Sequence, residues 1–466
     1  MMSSAPPKLP ARRIYDVAVL GPDLGGATAA ALCARRGLRV LLATMQPLAA
    51  ARESEGWLLP AANPLVPPLR QLAGASGTLD ELGLGADLQR QAAAAQGSFQ
   101  VLGEKLRLSL PADPARRRAE LRRELTDMAI EAERDFESLE RLGHAWDAFV
   151  LEPPPWPPRG FFERRRVNKV TPPPPQLPEG LLGQCLAALA PFSASLVGES
   201  APEATAREAA ALFRAPQRLW GGPAQLGELL RKKALESGGE LLPDPAAQLR
   251  LEKKGIVFLL GSTEVRASCA VLACGSEHIA ALVQGGGRIE RKVAEEAALP
   301  VERKVTLAHY VVRAEGLPLA LEEAALHLGN ALGPLVISSL PARRAKGEAS
   351  AERLLTVARV SDAGFSDAEG LLQSVRAALE PVLPFFDRHI VHQSADLNPV
   401  QSHPLLRPHE DAQPIGLRPL SEAHERILFA SAACYPGFGL EGQILAARAA
   451  AGQALALSGR KSVSAT

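Results

Sequence analysis

At 466 residues the chain exceeds the ~250–300 at which a single hydrophobic core stops growing, so two or three domains are expected. Charged residues make up 22% of it and balance to a net charge of +1, which offers no overall attraction to a polyanion and sets nucleic acid aside as a partner. The five cysteines (Cys33, Cys185, Cys269, Cys274, Cys434) are scattered and odd in number, without CxxC spacing, which argues against a disulfide framework and a zinc site.

The opening MMSSAPPKLPARR has no apolar h-region, and no run approaches the ~18 apolar residues of a spanning helix; a soluble, cytoplasmic protein with a disordered leader over 1–13 is expected. Ile14 to Leu20 is a short apolar strand ending in glycine, Ala27 to Arg36 reads as an Ala-rich helix closed by Gly37, and Arg39 to Thr44 reads as a second buried strand. This is a βαβ opening. Residues 110–147 are charged with helical period, and from Glu152 to Pro178 two proline clusters flank FFERRRVNKV. Proline runs continue neither a helix nor a central strand, so an exposed, semi-rigid excursion is expected there, read as a spacer or as a docking segment for a protein partner.

A glycine pair at Gly221 opens a helix over Ala224 to Ser237, followed by Glu240 to Leu242, a hairpin around Gly255 and Gly261, and the apolar strand Ala270 to Cys274. Residues 300–400 alternate as strands (VTLAHYVVRA, GPLVISSLP, RLLTVARVS) before a helix from Asp367 to Leu379, which suits an antiparallel sheet with a helical cover. The tail returns to a strand, ILFAS, a glycine-containing turn, YPGFGLEGQ, and an Ala-rich helix from Ile444 to about Leu457.

Three stretches, YDVAVLGPDLGGATAAALCARRGLRVLLAT, RLWGGPAQLGELLRKKALESGGELL and ILFASAACYPGFGLEGQILAARAAAGQAL, resemble the nucleotide-binding βαβ, the Gly-Gly helix opening and the C-terminal flavin-covering turn of the phytoene desaturase and amine oxidase superfamily. The resemblance implies an α/β fold: a discontinuous Rossmann-like FAD/NAD(P)-binding domain plus an α+β substrate-type lobe with an antiparallel sheet. The domain pieces would be 14–100, 216–290 and 416–460, with a helical and proline-rich excursion at 101–215, the lobe at 291–415 and a tail at 461–466. FAD is the implied cofactor, extended along the first domain, with an apolar or amine substrate held against its ring. The residues agree on geometry, since a strand feeding a glycine turn into a helix N-terminus makes an anion site from unpaired N–H groups and the helix dipole.

Against that pattern the fingerprint GxGxxG falls on Gly21, Pro22, Asp23, Leu24, Gly25 and Gly26, with aspartate in place of the glycine that admits the pyrophosphate. Like charges ~4 Å apart at an effective dielectric of ~20 repel by about 4 kcal/mol. The acid expected to bind the ribose hydroxyls is replaced by Thr44, a loss of about 1.5–3 kcal/mol. Relatives carry a Gly-Gly pair where this chain has Ala49 and Ala50, and a Gly-acid pair touching the ribityl and phosphate region where it has Ala430, Ser431 and Ala432. Together the losses, roughly 4–8 kcal/mol, would turn a nanomolar FAD site into a micromolar to millimolar one.

The resemblance makes Ala432, Gly437, Gly439 and Leu440 the C-terminal cofactor positions, with Cys434 and Tyr435 facing the ring. The residues alone read Cys434 as packing, and Gly437, Gly439 and Gly442 as permitting a tight turn and close helix contact. His389, His392, His403 and His409 lie near one another, without the acids or cysteines that would complete a metal site, so no metal is expected. Arg164, Arg165, Arg166 and Lys169 beside Phe161 and Phe162 form a basic, aromatic patch, read as a solvated face or as a peripheral contact for an acidic lipid surface or a partner. No catalytic base stands out, since in this superfamily the flavin carries the redox step. Three readings remain: a flavoprotein fold with weak or lost FAD binding and a scaffold role, an active FAD-dependent oxidoreductase that dehydrogenates or isomerises an apolar small molecule, or a partner-binding module using its proline-rich segment.

Overall fold

The computed structural model describes residues 13–21, 23–43, 49–91, 93–94, 98–172, 178–196, 202–242, 247–252, 255–260, 263–283, 287–299, 301–347, 350–399, 405–406 and 416–459. The opening strand, Arg13–Leu20, turns Val17 and Val19 into one core and Ala18 and Leu20 into another. Both faces of its sheet are covered, which is why this strand reads as a continuous apolar run without alternation.

That strand sits within a seven-stranded sheet in the order Glu240–Leu242, Val40–Ala43, Arg13–Leu20, Thr263–Leu272, Gly255–Leu260, Ala247–Glu252. Its first four strands run parallel, and the last two add an antiparallel hairpin. Thr263–Leu272 is long enough to serve two partners in succession: residues 263–267 pair with the hairpin, and residues 270–272 pair in parallel with Ile427–Phe429. Three distant stretches of chain therefore build one sheet. Asp16, nearly buried, fixes the turn into the second strand by accepting from the Arg39 backbone N–H at 2.8 Å and pairing with its guanidinium at 3.1 Å.

The opening helix spans Leu24–Arg35, three residues earlier than its alanine pattern predicts, because Gly25 and Gly26 form its first turn. Leu24 to Ala34 are all buried. Its small side chains let it lie between the sheet and two further helices, Pro223–Glu236 and Gly439–Ser458, through Leu226, Leu230, Ala447, Ala450 and Ala454. Gly37 ends it as expected, with the Leu38 N–H turning back to the Cys33 carbonyl at 3.0 Å.

A second sheet runs Ile390–Asp396, Val301–Val312, Arg353–Asp362, Leu335–Pro341, Ala324–His327, Ser98–Leu102, Arg107–Pro111, with Leu405–Leu406 beside Val301–Val312. It is antiparallel except where Ala324–His327 meets Ser98–Leu102. Its cover is the Ala368–Leu379 helix, capped by the Asp367 carboxylate on the Gly370 N–H at 2.8 Å and seated through Leu371, Val375 and Leu379. Tyr310, buried in the sheet, donates its hydroxyl to the Leu372 carbonyl at 2.7 Å.

One expectation needs correction. Residues 107–111 are a strand of the lobe sheet, so the charged helices begin only at Pro114, after the Asp113 cap, and run as Pro114–Leu125 and Ala129–Ala145. Cross-strand pairing overrides helical charge periodicity there. Within the proline excursion, FFERRRVNKV forms a helix, Phe161–Val170, since it lies between the proline clusters and contains none; residues 173–177 of the second cluster lie outside the described residues. Among the described residues no helix is long and apolar enough to cross a membrane.

A Cβ added to Gly25 would stand 2.1 Å from the Ala430 carbonyl oxygen. Gly25→Ala is expected to destabilise the fold by about 3 kcal/mol, read as a lowered denaturation midpoint.

Candidate functional site

The loop between the opening strand and helix points at the end of Ile427–Phe429. Gly21 has φ +120° and its missing Cβ would lie 2.1 Å from the Ala273 carbonyl oxygen, so only glycine fits. A Cβ on Gly26 would stand 2.6 Å from the Ala273 side chain. The surviving glycines of the fingerprint are thus occupied in packing helix against strands. Pro22 and Thr44 lie outside the described residues, and Leu24 is buried in the core.

Asp23 stands at the N-cap of the opening helix but does not cap it. Its carboxylate reaches across the crevice instead and accepts the Ala432 backbone N–H at 3.3 Å. The Gly25 N–H at the same helix end is approached by the side-chain oxygen of buried Gln443, from the closing helix Gly439–Ser458, at 3.4 Å. Ala50 is fixed by its N–H donating to Glu228 at 2.8 Å, and Gly221 lies against it with room for no Cβ.

The C-terminal turn is buried. Tyr435 takes a left-handed φ of 49°, Pro436–Phe438 makes one 3-10 turn that includes Gly437, and Leu440 joins the core. Gly439 meets the Ser193 carbonyl, with its absent Cβ 1.8 Å from that oxygen, and the Ser195 N–H donates to the Pro436 carbonyl at 2.7 Å. Phe438 stacks on Phe149 at 5.2 Å, and Trp146 meets Phe438 edge-on at 5.5 Å. Trp156, from the first proline cluster, and Tyr435 complete the group around Phe149. Burial holds the Cys434 thiol up at about 12, so it carries no thiolate at neutral pH, as its reading as a packing residue requires.

Sequence reasoning missed a buried charge cluster beside this turn. Glu441, in the first turn of the closing helix, is fully buried and pairs with Arg207 at 3.1 Å, while accepting the Gly74 N–H at 2.7 Å. Arg207 also binds Asp147 at 2.7 Å and the Gly143 carbonyl. Burial opposes charge on Asp147, but hydrogen bonds from His144 and Arg207 outweigh it and hold its carboxyl below the usual range. Glu208 is different: neither of its oxygens makes a well-formed hydrogen bond. Burial, and then the Glu441 charge, push it well above the ordinary carboxylate range, against a smaller pull from Arg207 and the Glu441 N–H. A signal existed in the sequence, since Arg207 and Glu208 interrupt the apolar run of the Pro202–Arg214 helix.

The histidines are dispersed. His392 bonds Ser54 at 3.0 Å and Glu55 at 3.2 Å, His389 faces Glu315 at 3.9 Å, and His403 and His409 lie outside the described residues. Among the described residues no group of three or more potential metal ligands occurs.

No protein-family model and no curated protein matches the sequence. Solved structures do. A triple mutant of putrescine oxidase superposes with a TM-score of 0.60 at 14% identity, over 96% of this chain and 99% of that one. Cyclohexylamine oxidase from Brevibacterium oxydans IH-35A gives 0.56 at 14% over 96% and 99%, and an oxidoreductase from Methanosarcina mazei 0.56 at 11% over 93% and 99%. The chain therefore has the fold of these amine oxidases, the fold that its three sequence stretches implied.

Replacing Glu441 with glutamine would leave Arg207 short of a buried counter-charge and is expected to cost about 3–5 kcal/mol, read by denaturant unfolding. For Glu208 the sign is opposite. In the unfolded chain it titrates near its ordinary 4.5, while in the fold it stays protonated to higher pH, so its contribution is intact below 4.5 and is lost as pH rises toward the folded value. Glu208→Gln should raise the Tm at pH 8, with the gain vanishing below about pH 4.5.

Proposed function

We propose that this chain retains a flavoenzyme architecture in which its own side chains fill the anchor points of the dinucleotide, leaving FAD binding weak or absent and the protein non-catalytic. The observation that carries this reading is the Asp23 carboxylate on the Ala432 N–H, an internal anion at the position where the fold would receive the ribityl and phosphate region. A bound pyrophosphate would have to displace that carboxylate while standing beside its charge, which costs about 4 kcal/mol at ~4 Å. Gln443 at the opening helix repeats the arrangement with a neutral oxygen. At the ring end, Phe149 and Trp146 pack on the turn that would face a flavin, and Ser193 closes on Gly439. The residues present thus do not fit the cofactor, and no redox step is assigned. The fold would then serve as a scaffold for a protein partner or an apolar small molecule.

Titration of the purified protein with FAD, followed by flavin fluorescence, is expected to show no saturable quenching up to about 100 µM. Asp23→Gly removes both charge and side chain from the crevice and should tighten any residual binding by at least about tenfold. A yellow protein as isolated, or a submicromolar Kd, would overturn the proposal and make this an oxidoreductase acting on an apolar or amine substrate.

A further inference from the structure

We propose that the Phe161–Val170 helix is a docking surface for an anionic lipid bilayer. Phe161 and Phe162 are 74% and 84% exposed, and their rings touch each other edge-on at 5.7 Å. Large apolar side chains this exposed and adjacent gain by leaving water for another phase. The helix is no loose appendage. Val167 is buried beneath it, Glu163 pairs with Arg418 at 2.5 Å and accepts the Arg159 N–H at 2.8 Å, and the Thr171 hydroxyl closes its end on the Val167 carbonyl at 2.8 Å. Arg418 is itself held by Glu422 at 2.9 Å and by the Pro157 carbonyl at 2.8 Å.

With 3.6 residues per turn, anchoring through Glu163 and Val167 turns Phe161, Arg165 and Lys169 to the opposite side, flanked by Phe162 and Arg166. All five are exposed. The only acid of the helix, Glu163, is engaged with Arg418, so the outward side is positive although the whole chain carries only +1. This combination selects the partner. Phenyl rings enter the boundary between headgroups and acyl chains, while guanidinium and ammonium groups on flexible stems remain with the phosphates. A polyanion alone would use the charges and leave the rings in water.

The test is flotation of the full chain with vesicles of phosphatidylcholine alone and of phosphatidylcholine containing phosphatidylserine. The protein is expected to float with the phosphatidylserine vesicles only, and to be released as salt is raised. Arg165→Gln/Lys169→Gln should weaken binding about 20- to 30-fold, each cation contributing about fivefold. Phe161→Ser/Phe162→Ser should abolish flotation with the charge unchanged. All four side chains are exposed, and unaltered near-UV circular dichroism would establish that the variants fold; the wild-type lipid and salt dependence stands without them. Absence of flotation, equal flotation with both vesicles, or a phenylalanine variant that floats like the wild type would each overturn the proposal. Retention on RNA or on an acidic protein without vesicle binding would do the same and assign the patch to that class. None of these outcomes bears on FAD binding, so the two proposals fail separately.

Discussion

The contact on which the rest of the molecule depends is the close approach of the opening helix to the strands that flank it. Backbone meets backbone at Gly25 and Ala430, and at Gly21 and Ala273, with no space for a methyl group at either point. An Ala-rich helix can then be buried from Leu24 to Ala34, with the sheet on one side and two further helices around it. Because the last strand of that sheet, Ile427–Phe429, comes from the far end of the sequence, the same approach brings the helix N-terminus to the C-terminal turn. The crevice between them is where this fold concentrates unsatisfied N–H groups.

What fills that crevice follows from electrostatics. A helix N-terminus and a neighbouring loop present donors, and burial makes leaving them unmet costly. Asp23 and Gln443 supply acceptors from within the chain. A few residues away the logic is one of charge pairing: Arg207 lies between Glu441 and Asp147, so two anions share one buried cation. Glu208, next in sequence, makes no such ion pair, and burial raises its pKa, favouring the neutral form.

The aromatic group around Phe149 ties this region to the excursion. Trp156 reaches it from the first proline cluster, so that segment has a buried root, and the Phe161–Val170 helix stands on the root through Arg418. Exposure of Phe161 and Phe162 is therefore a fixed property of the surface.

How much could be read from the sequence depends on the range of the interaction responsible. The βαβ opening, the three long strands of the lobe and the Asp367-capped helix were legible, because strand runs, helical spacing and caps are encoded within ten or twenty residues. The substitutions at Asp23 and Ala432 were also visible, and the charge of the first and the missing acid at the second already argued against tight binding of a dinucleotide. Sequence alone did not place residues 107–111 in a sheet: their own partner, Ser98–Leu102, is local, but the hairpin joins a sheet only through Ala324–His327, far along the chain. Nor did it find Arg207, Glu208 and Glu441, whose charges matter only because tertiary packing removes them from water together. The sequence by itself determined the elements and where its residues depart from the cofactor pattern that it resembles. Only the tertiary structure decided that Asp23, whose effect had been reckoned as repulsion of a ligand, has a backbone donor of its own 409 residues away, because a hydrogen bond of that span exists only once the helix and the C-terminal turn are packed together.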